Sequence, residues 1–178
     1  NALDRALAAA QRAVELNRTS QLAYEALAMV HFLRRDLPAF SPAADRAMSL
    51  NPRNSNTYAY LGNLLVFTRQ FEKGTTMTRK AMEMNPHHAG WFHFALIWDH
   101  YSRNEFEKVL EHTNRVNMPG FFWPPLIIAS VCGQLGRKSE ATTALNELLS
   151  IDPDFASHAR SYIEPWLYAT GFIEPLLE

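Results

Sequence analysis

Small and apolar residues recur along this chain three and four positions apart, the period of an amphipathic α-helix. Ala6, Ala10 and Ala13 form one stripe, Ala44 and Ala47 a second, and Gly74, Thr78 and Ala81 a third. Val109, Thr113 and Val116, then Ala141, Leu145 and Leu148, continue the series. Between them run stripes with larger anchors: Tyr24, Leu27, Ala28 and His31, then Tyr58, Leu61, Gly62 and Leu65. His93, Leu96, Ile97 and His100 follow, and then Pro125, Ile128, Ala129 and Cys132. The pattern predicts helices at 3–16, 20–35, 41–50, 54–69, 71–84, 88–102, 105–116, 122–135, 138–150 and 154–169.

The segments repeat as well as alternate. "AVELNR" (13–18), "AMSLNP" (47–52) and "AMEMNP" (81–86) align, so that Asn17, Asn51 and Asn85 stand 34 positions apart each time. "VNMPG" (116–120) and "LLSIDP" (148–153) continue the series with a wobble. Pro52, Pro86 and Pro153 open the next helix, where a missing N–H costs little. A two-helix unit of about 34 residues, with large anchors around a small residue in its first helix, resembles the tetratricopeptide (TPR) repeat. That resemblance implies an all-α fold: a TPR-type α-solenoid of antiparallel helix pairs with a C-terminal capping helix. A single array is expected over 1–178. It starts with the second helix of a partial repeat (1–18) and continues through full repeats at 21–54, 55–89, 90–121 and 122–155. Residues 156–178 form the capping helix and tail. Ile97 stands where a small residue is usual, so its helix pair is expected to pack more loosely. Phe40 likewise replaces an alanine.

Composition narrows the function. Lys and Arg number 17 and Asp and Glu 18, a balance without the basic footprint of a nucleic-acid or anionic-membrane binder. Cys132 is the single cysteine, so no internal disulfide forms and a reducing, cytoplasmic compartment is expected. The longest apolar run, "MPGFFWPPLIIASVC", is too short to span a bilayer. Seven glycines are too few for a loop-rich chain. The chain opens on Asn1 inside a helical pattern, which points to sequence upstream.

The stretch "HHAGWFHFALIWDHY" (87–101) concentrates the candidate chemistry. On one helix, His93, Leu96, Ile97 and His100 share the side that packs on the partner helix. Trp91, Phe94, Trp98 and Tyr101 lie about 130° away at a turn of about 100° per residue. The TPR resemblance places this second set on the concave groove. The same face carries Leu22, Glu25, Met29 and Phe32 in the first full repeat. It carries Asn56, Ala59, Asn63, Val66 and Phe67 in the second, and Trp123, Leu126, Ser130 and Gln134 in the fourth. The candidate partner-binding wall is therefore Met29, Phe32, Asn56, Asn63, Phe67, Trp91, Phe94, Trp98, Tyr101, Trp123 and Leu126. It is aromatic and nearly uncharged, a composition suited to anchoring a protein or peptide. The apolar tail "GFIEPLLE" (171–178), with Phe172, Ile173, Leu176 and Leu177, is the alternative occupant.

Other chemistry is not signalled. Metal-binding helices want ligands at i and i+4, and neither His93 nor His100 has such a partner. Cys132 sits on a packing face, which makes an inert thiol. There is no Gly-x-Ser-x-Gly turn and no phosphate-binding glycine loop. No catalytic residue, metal or cofactor is expected. TPR domains that hold a C-terminal carboxylate use a basic clamp; Asn63 resembles one member. Trp91, Ala95, Trp123 and Ile127 stand where cations would be needed, so an acidic C-terminal peptide would lose water without gaining a charge.

The run from "FWPPLIIASVCGQLGRKSEATTALNELLSIDPDFASHARSYIEPW" to "FIEPLLE" resembles the C-terminal TPR region of large bacterial signalling proteins. In those proteins such an array follows a class III adenylate/guanylate cyclase or a winged-helix DNA-binding domain. The resemblance implies the regulatory arm of such a protein, a non-catalytic protein-interaction module. The rival expectation is a self-associating, homo-oligomeric spacer whose groove holds its own tail.

Overall fold

The computed structural model describes all residues from Asn1 to Glu178. The chain is helical from end to end: α1 (Ala2–Leu16), α2 (Gln21–Leu33), α3 (Leu37–Leu50), α4 (Ser55–Phe67), α5 (Phe71–Met84) and α6 (Phe94–Ser102). α7 (Phe106–Thr113), α8 (Trp123–Gln134), α9 (Lys138–Ile151), α10 (Phe155–Leu167) and α11 (Ile173–Leu177) complete it. α1 packs on α2, and then α2 with α3, α4 with α5, α6 with α7 and α8 with α9 form successive antiparallel pairs. The expected helices are present, with three departures. α3 begins at Leu37 rather than residue 41, because Asp36 caps it by accepting from the Ala39 amide and Pro38 suits the first turn. Pro42 is thereby carried inside the helix. α6 is preceded by a 3-10 turn, Gly90–His93. The tail forms a helix of its own.

The turns inside the four pairs are one motif used four times. Arg35, Arg69, Asn104 and Gly136 have φ of 61°, 66°, 55° and 72°. The next amide reaches back to the carbonyl five residues earlier: Asp36 to His31, Gln70 to Leu65, Glu105 to His100 and Arg137 to Cys132, at 2.8–3.0 Å. This is the Schellman closure, with a left-handed residue satisfying the last carbonyls of the helix. In one turn a side chain adds to it: His100 Nδ1 meets Glu105 Oε2 and pins the end of α6 to the start of α7. In the first full pair His31 Nδ1 lies 3.6 Å from Asp36 Oδ2, beyond hydrogen-bond reach, and has no partner.

The pairs differ in how closely their helices approach. At the α4–α5 crossing a Cβ on Gly62 would lie 2.5 Å from Thr78 Oγ1 and 2.8 Å from the Gly74 carbonyl oxygen. A Cβ on Gly74 would lie 2.5 Å from the Gly62 carbonyl. Two glycines facing each other let these backbones meet. α6 has Ile97 in the equivalent place, fully buried, and its pair is built from short helices of 9 and 8 residues. On α9 the packing stripe is Ala144 and Leu148, both buried, whereas Leu145 is 46% exposed. The expected inward stripe Ala141, Leu145, Leu148 is therefore rotated toward Ala144.

Candidate functional site

A continuous series of rings, forming one wall, links α2, α4, α6 and α8. Phe32 of α2 lies 6.2 Å from Phe67 of α4, which lies 6.3 Å from Trp98 of α6, which meets Trp123 of α8 edge-on at 5.4 Å. Each helix contributes one ring, from the last turn of α2 and of α4, the middle of α6 and the first residue of α8. Leu126 is buried beside them, and Met29 is half-buried against the same core. Phe94 packs edge-on against Phe121 at 6.1 Å. Asn63 is buried, and its Oδ1 has no hydrogen-bond partner.

Two expected members stand elsewhere. Trp91 lies in the 3-10 turn, where successive residues advance by about 120° rather than about 100°. The angular argument from Trp98 therefore does not reach it. Trp91 packs edge-on against Phe92 at 4.5 Å, in a separate small cluster with Ala59 and Ala81. Asn56 is exposed in the first turn of α4.

The wall is covered rather than open. α10 is seated by ring contacts, with little close backbone approach to α8 or α9. Its Trp166 lies 6.3 Å from Phe32 and 6.1 Å from Phe67, and Tyr168 lies 5.6 Å from Phe32. The Tyr168 hydroxyl donates to the Phe32 carbonyl at 3.4 Å, and the Arg35 guanidinium lies over the Tyr168 ring at 4.8 Å. Arg35 also pairs with Glu164 at 3.0 Å. Farther along, Phe172 stacks on Trp98 at 6.1 Å with planes 15° apart, and meets Tyr101 at 5.1 Å and Phe71 at 6.2 Å. Trp98, packed also by Phe67, Tyr101 and Trp123, is 1% exposed. Pro175 offers its carbonyl to Ser130 Oγ at 3.0 Å and to Gln134 Nε2 at 3.2 Å, and Gln134 Nε2 also donates to the Tyr101 hydroxyl at 3.0 Å. Arg160 and Glu174 form a two-pronged bridge at 2.7 and 2.8 Å that joins α10 to α11. The Trp98 indole N–H nevertheless has no acceptor. The tail supplies rings to this wall but no acceptor at that point.

The histidines of the 3-10 turn and of α6, His93 and His100, face α7. His93 Nδ1 and His112 Nδ1 are 2.9 Å apart, and His100 stacks on His112 at 5.3 Å with planes 9° apart. Burial, then the neighbouring imidazoles, hold both His93 and His112 down to about 4. His112 completes the inward pattern Val109, His112, Thr113, Val116, a helical spacing that would have identified it. No three His, Cys, Asp or Glu side chains come together in a metal-holding arrangement. Cys132 is fully buried, and burial pushes its thiol up. No helix is long and apolar enough to cross a membrane.

Antiparallel pairs, Schellman turns and a ring on each first helix define the class: the fold is a TPR-type α-solenoid. A tetratricopeptide-repeat family model matches residues 126–155. No curated protein sequence matches the chain. Among solved structures, a crystal structure of MamA is similar at 15% identity with a TM-score of 0.63, over 87% of this chain and 91% of that one. YrrB, described as a TPR protein with an unusual peptide-binding site, is similar at 17% identity and a TM-score of 0.60, over 95% of this chain and 91% of its own. At such identities the likeness is one of fold.

Proposed function

We propose that this chain is a non-catalytic protein-interaction module, the regulatory arm of a larger bacterial signalling protein. Its aromatic concave wall, held by its own C-terminal segment at rest, is surrendered to a partner segment of similar chemistry. The observation that carries this reading is the stacking of Phe172 on Trp98. It supports reading the wall as a surface that accepts an aromatic segment lying across the repeats. The partner is an apolar, aromatic protein or peptide segment rather than an acidic C-terminus, since the wall rings carry no cation among them and the one at their edge, Arg35, is engaged by Glu164 and Tyr168. The unpartnered Trp98 N–H and Asn63 Oδ1 favour exchange. A buried polar group left unpaired costs about 1–3 kcal/mol, which an incoming backbone could recover. The peptide-binding site described for YrrB gives the mode a parallel in the same fold. The signalling context rests on the resemblance of the C-terminal run. A second reading, a spacer permanently capped by its tail, is favoured by the Arg160–Glu174 bridge and the two bonds to the Pro175 carbonyl.

A labelled peptide spanning residues 155–178 separates the two. Titrated against the full chain and against Phe172→Ala, it is expected to bind the variant more tightly, with Trp98 more quenchable before binding and shielded after. If neither chain binds the peptide and the tryptophans of the variant stay shielded, the wall is a permanent core and the interaction reading fails.

A further inference from the structure

We propose that the His93–His112 pair, braced by His100, is an acid-sensitive latch that closes α6 onto α7 while its rings are neutral and parts when both are charged. The two Nδ1 atoms face each other at 2.9 Å. Such a bond needs one ring to donate an N–H and the other to accept, so a single proton lies between them. His88 lies 5.3 Å from His93, and His100 lies 5.3 Å from His112 on its other side, so four imidazoles run in series through the seam.

The surroundings discourage positive charge. From α6 and its preceding turn the pair meets His88 and His100; from α7, Glu111 together with Arg115 at its end; from α5, Arg79. Glu111 alone favours the charged form of His112, and Glu105 is committed to His100, Lys108 and Arg103. His93 is 6% exposed and His112 is partly buried, so water compensates the charge of His93 little. Both rings sit at about 4, below their ordinary 6.5, because burial and then the neighbouring imidazoles penalise the charge. The folded state therefore binds fewer protons than the unfolded chain across that window. The stabilisation is complete above 6.5 and is lost as pH falls toward 4. The pair titrates as a unit. A first proton charges the seam while leaving the bond intact; a second sets N–H against N–H. α6 and α7 lack the facing glycines of α4 and α5, so the latch carries more of their closure. Because the opposite side of α6 holds Trp98 and Tyr101 against Phe172, its loosening is transmitted to the wall.

Thermal melts of the full chain from about pH 7.5 to about pH 4 test this, with His93→Asn/His112→Asn as the comparison. The asparagine amide places a hydrogen-bonding atom near Nδ1 but does not titrate. The wild-type Tm is expected to fall steeply between those limits, and the double variant to lose less than half as much. His158→Asn, which removes a surface imidazole paired with Asp152 at 2.6 Å, should leave the double variant's advantage unchanged. Equal slopes for wild type and double variant would overturn the latch. If the double variant does not fold, imidazole 15N titration of the wild type decides. His93 and His112 remaining neutral at about pH 5 supports the latch, and ordinary titration of either ring refutes it.

Discussion

Gly62→Ala pits local preference against tertiary closeness at the centre of the array. In an isolated helix the change is favourable, since alanine exceeds glycine by about 1 kcal/mol. In the fold, the added Cβ lies 2.5 Å from Thr78 Oγ1 and 2.8 Å from the Gly74 carbonyl oxygen. The hydroxyl can turn aside, but the carbonyl belongs to the backbone of α5 and moves only if the helix moves. Separating the helices disturbs Val66, which already lies 2.6 Å from where a Cβ on Gly74 would be. Overpacking of this kind costs about 1–3 kcal/mol, so a net loss of about 1–2 kcal/mol is expected after the propensity gain. For a chain of this size that lowers Tm by roughly 2–8 °C, readable by circular dichroism or calorimetry. Adding Thr78→Ala removes the hydroxyl contact and leaves the carbonyl, so less than half of the loss should return. A Gly62→Ala chain that melts higher than wild type would mean that α4 and α5 do not approach through these glycines.

Arg69 is exposed and holds φ at 66°, a conformation that costs a side chain about 1–2 kcal/mol. Arg69→Gly should raise Tm by a few degrees; Arg35→Gly should gain less, because Arg35 also pairs with Glu164 and lies over Tyr168. Cys132 is expected to resist a disulfide reagent at mildly alkaline pH until denaturant is added, and rapid labelling of the native chain would contradict its burial and raised pKa.

The helices were legible because their signal is repeated: a face misread in one helix is corrected by its copies. The first full pair hides its turn, since Arg35 at a left-handed position looks like any charged residue, whereas Gly136 announces the same geometry. Trp91 stands apart from the ring series because a short 3-10 turn changes the angular step without changing composition. At the wall, sequence spacing assigns Phe32, Phe67, Trp98 and Trp123 to one face, and their rings lie in contact one after another. The segment lying across that face depends on distance in space, with Trp166 and Tyr168 meeting a ring more than a hundred positions earlier. No periodicity carries that information, and the tail could be identified only as an apolar segment without a repeat of its own.

An open solenoid has two ends, and each can fray without the other. Here Glu164 and Tyr168 are bound to Arg35 and Phe32, so the last long helix is tied to the first complete pair. Loop closure on that scale delays the final step of folding, because a long stretch of chain must be ordered before the contact rewards it. Once made, it joins distant repeats into one cooperative unit. Loss of α10 should then be felt at α2, near the opposite end of the chain.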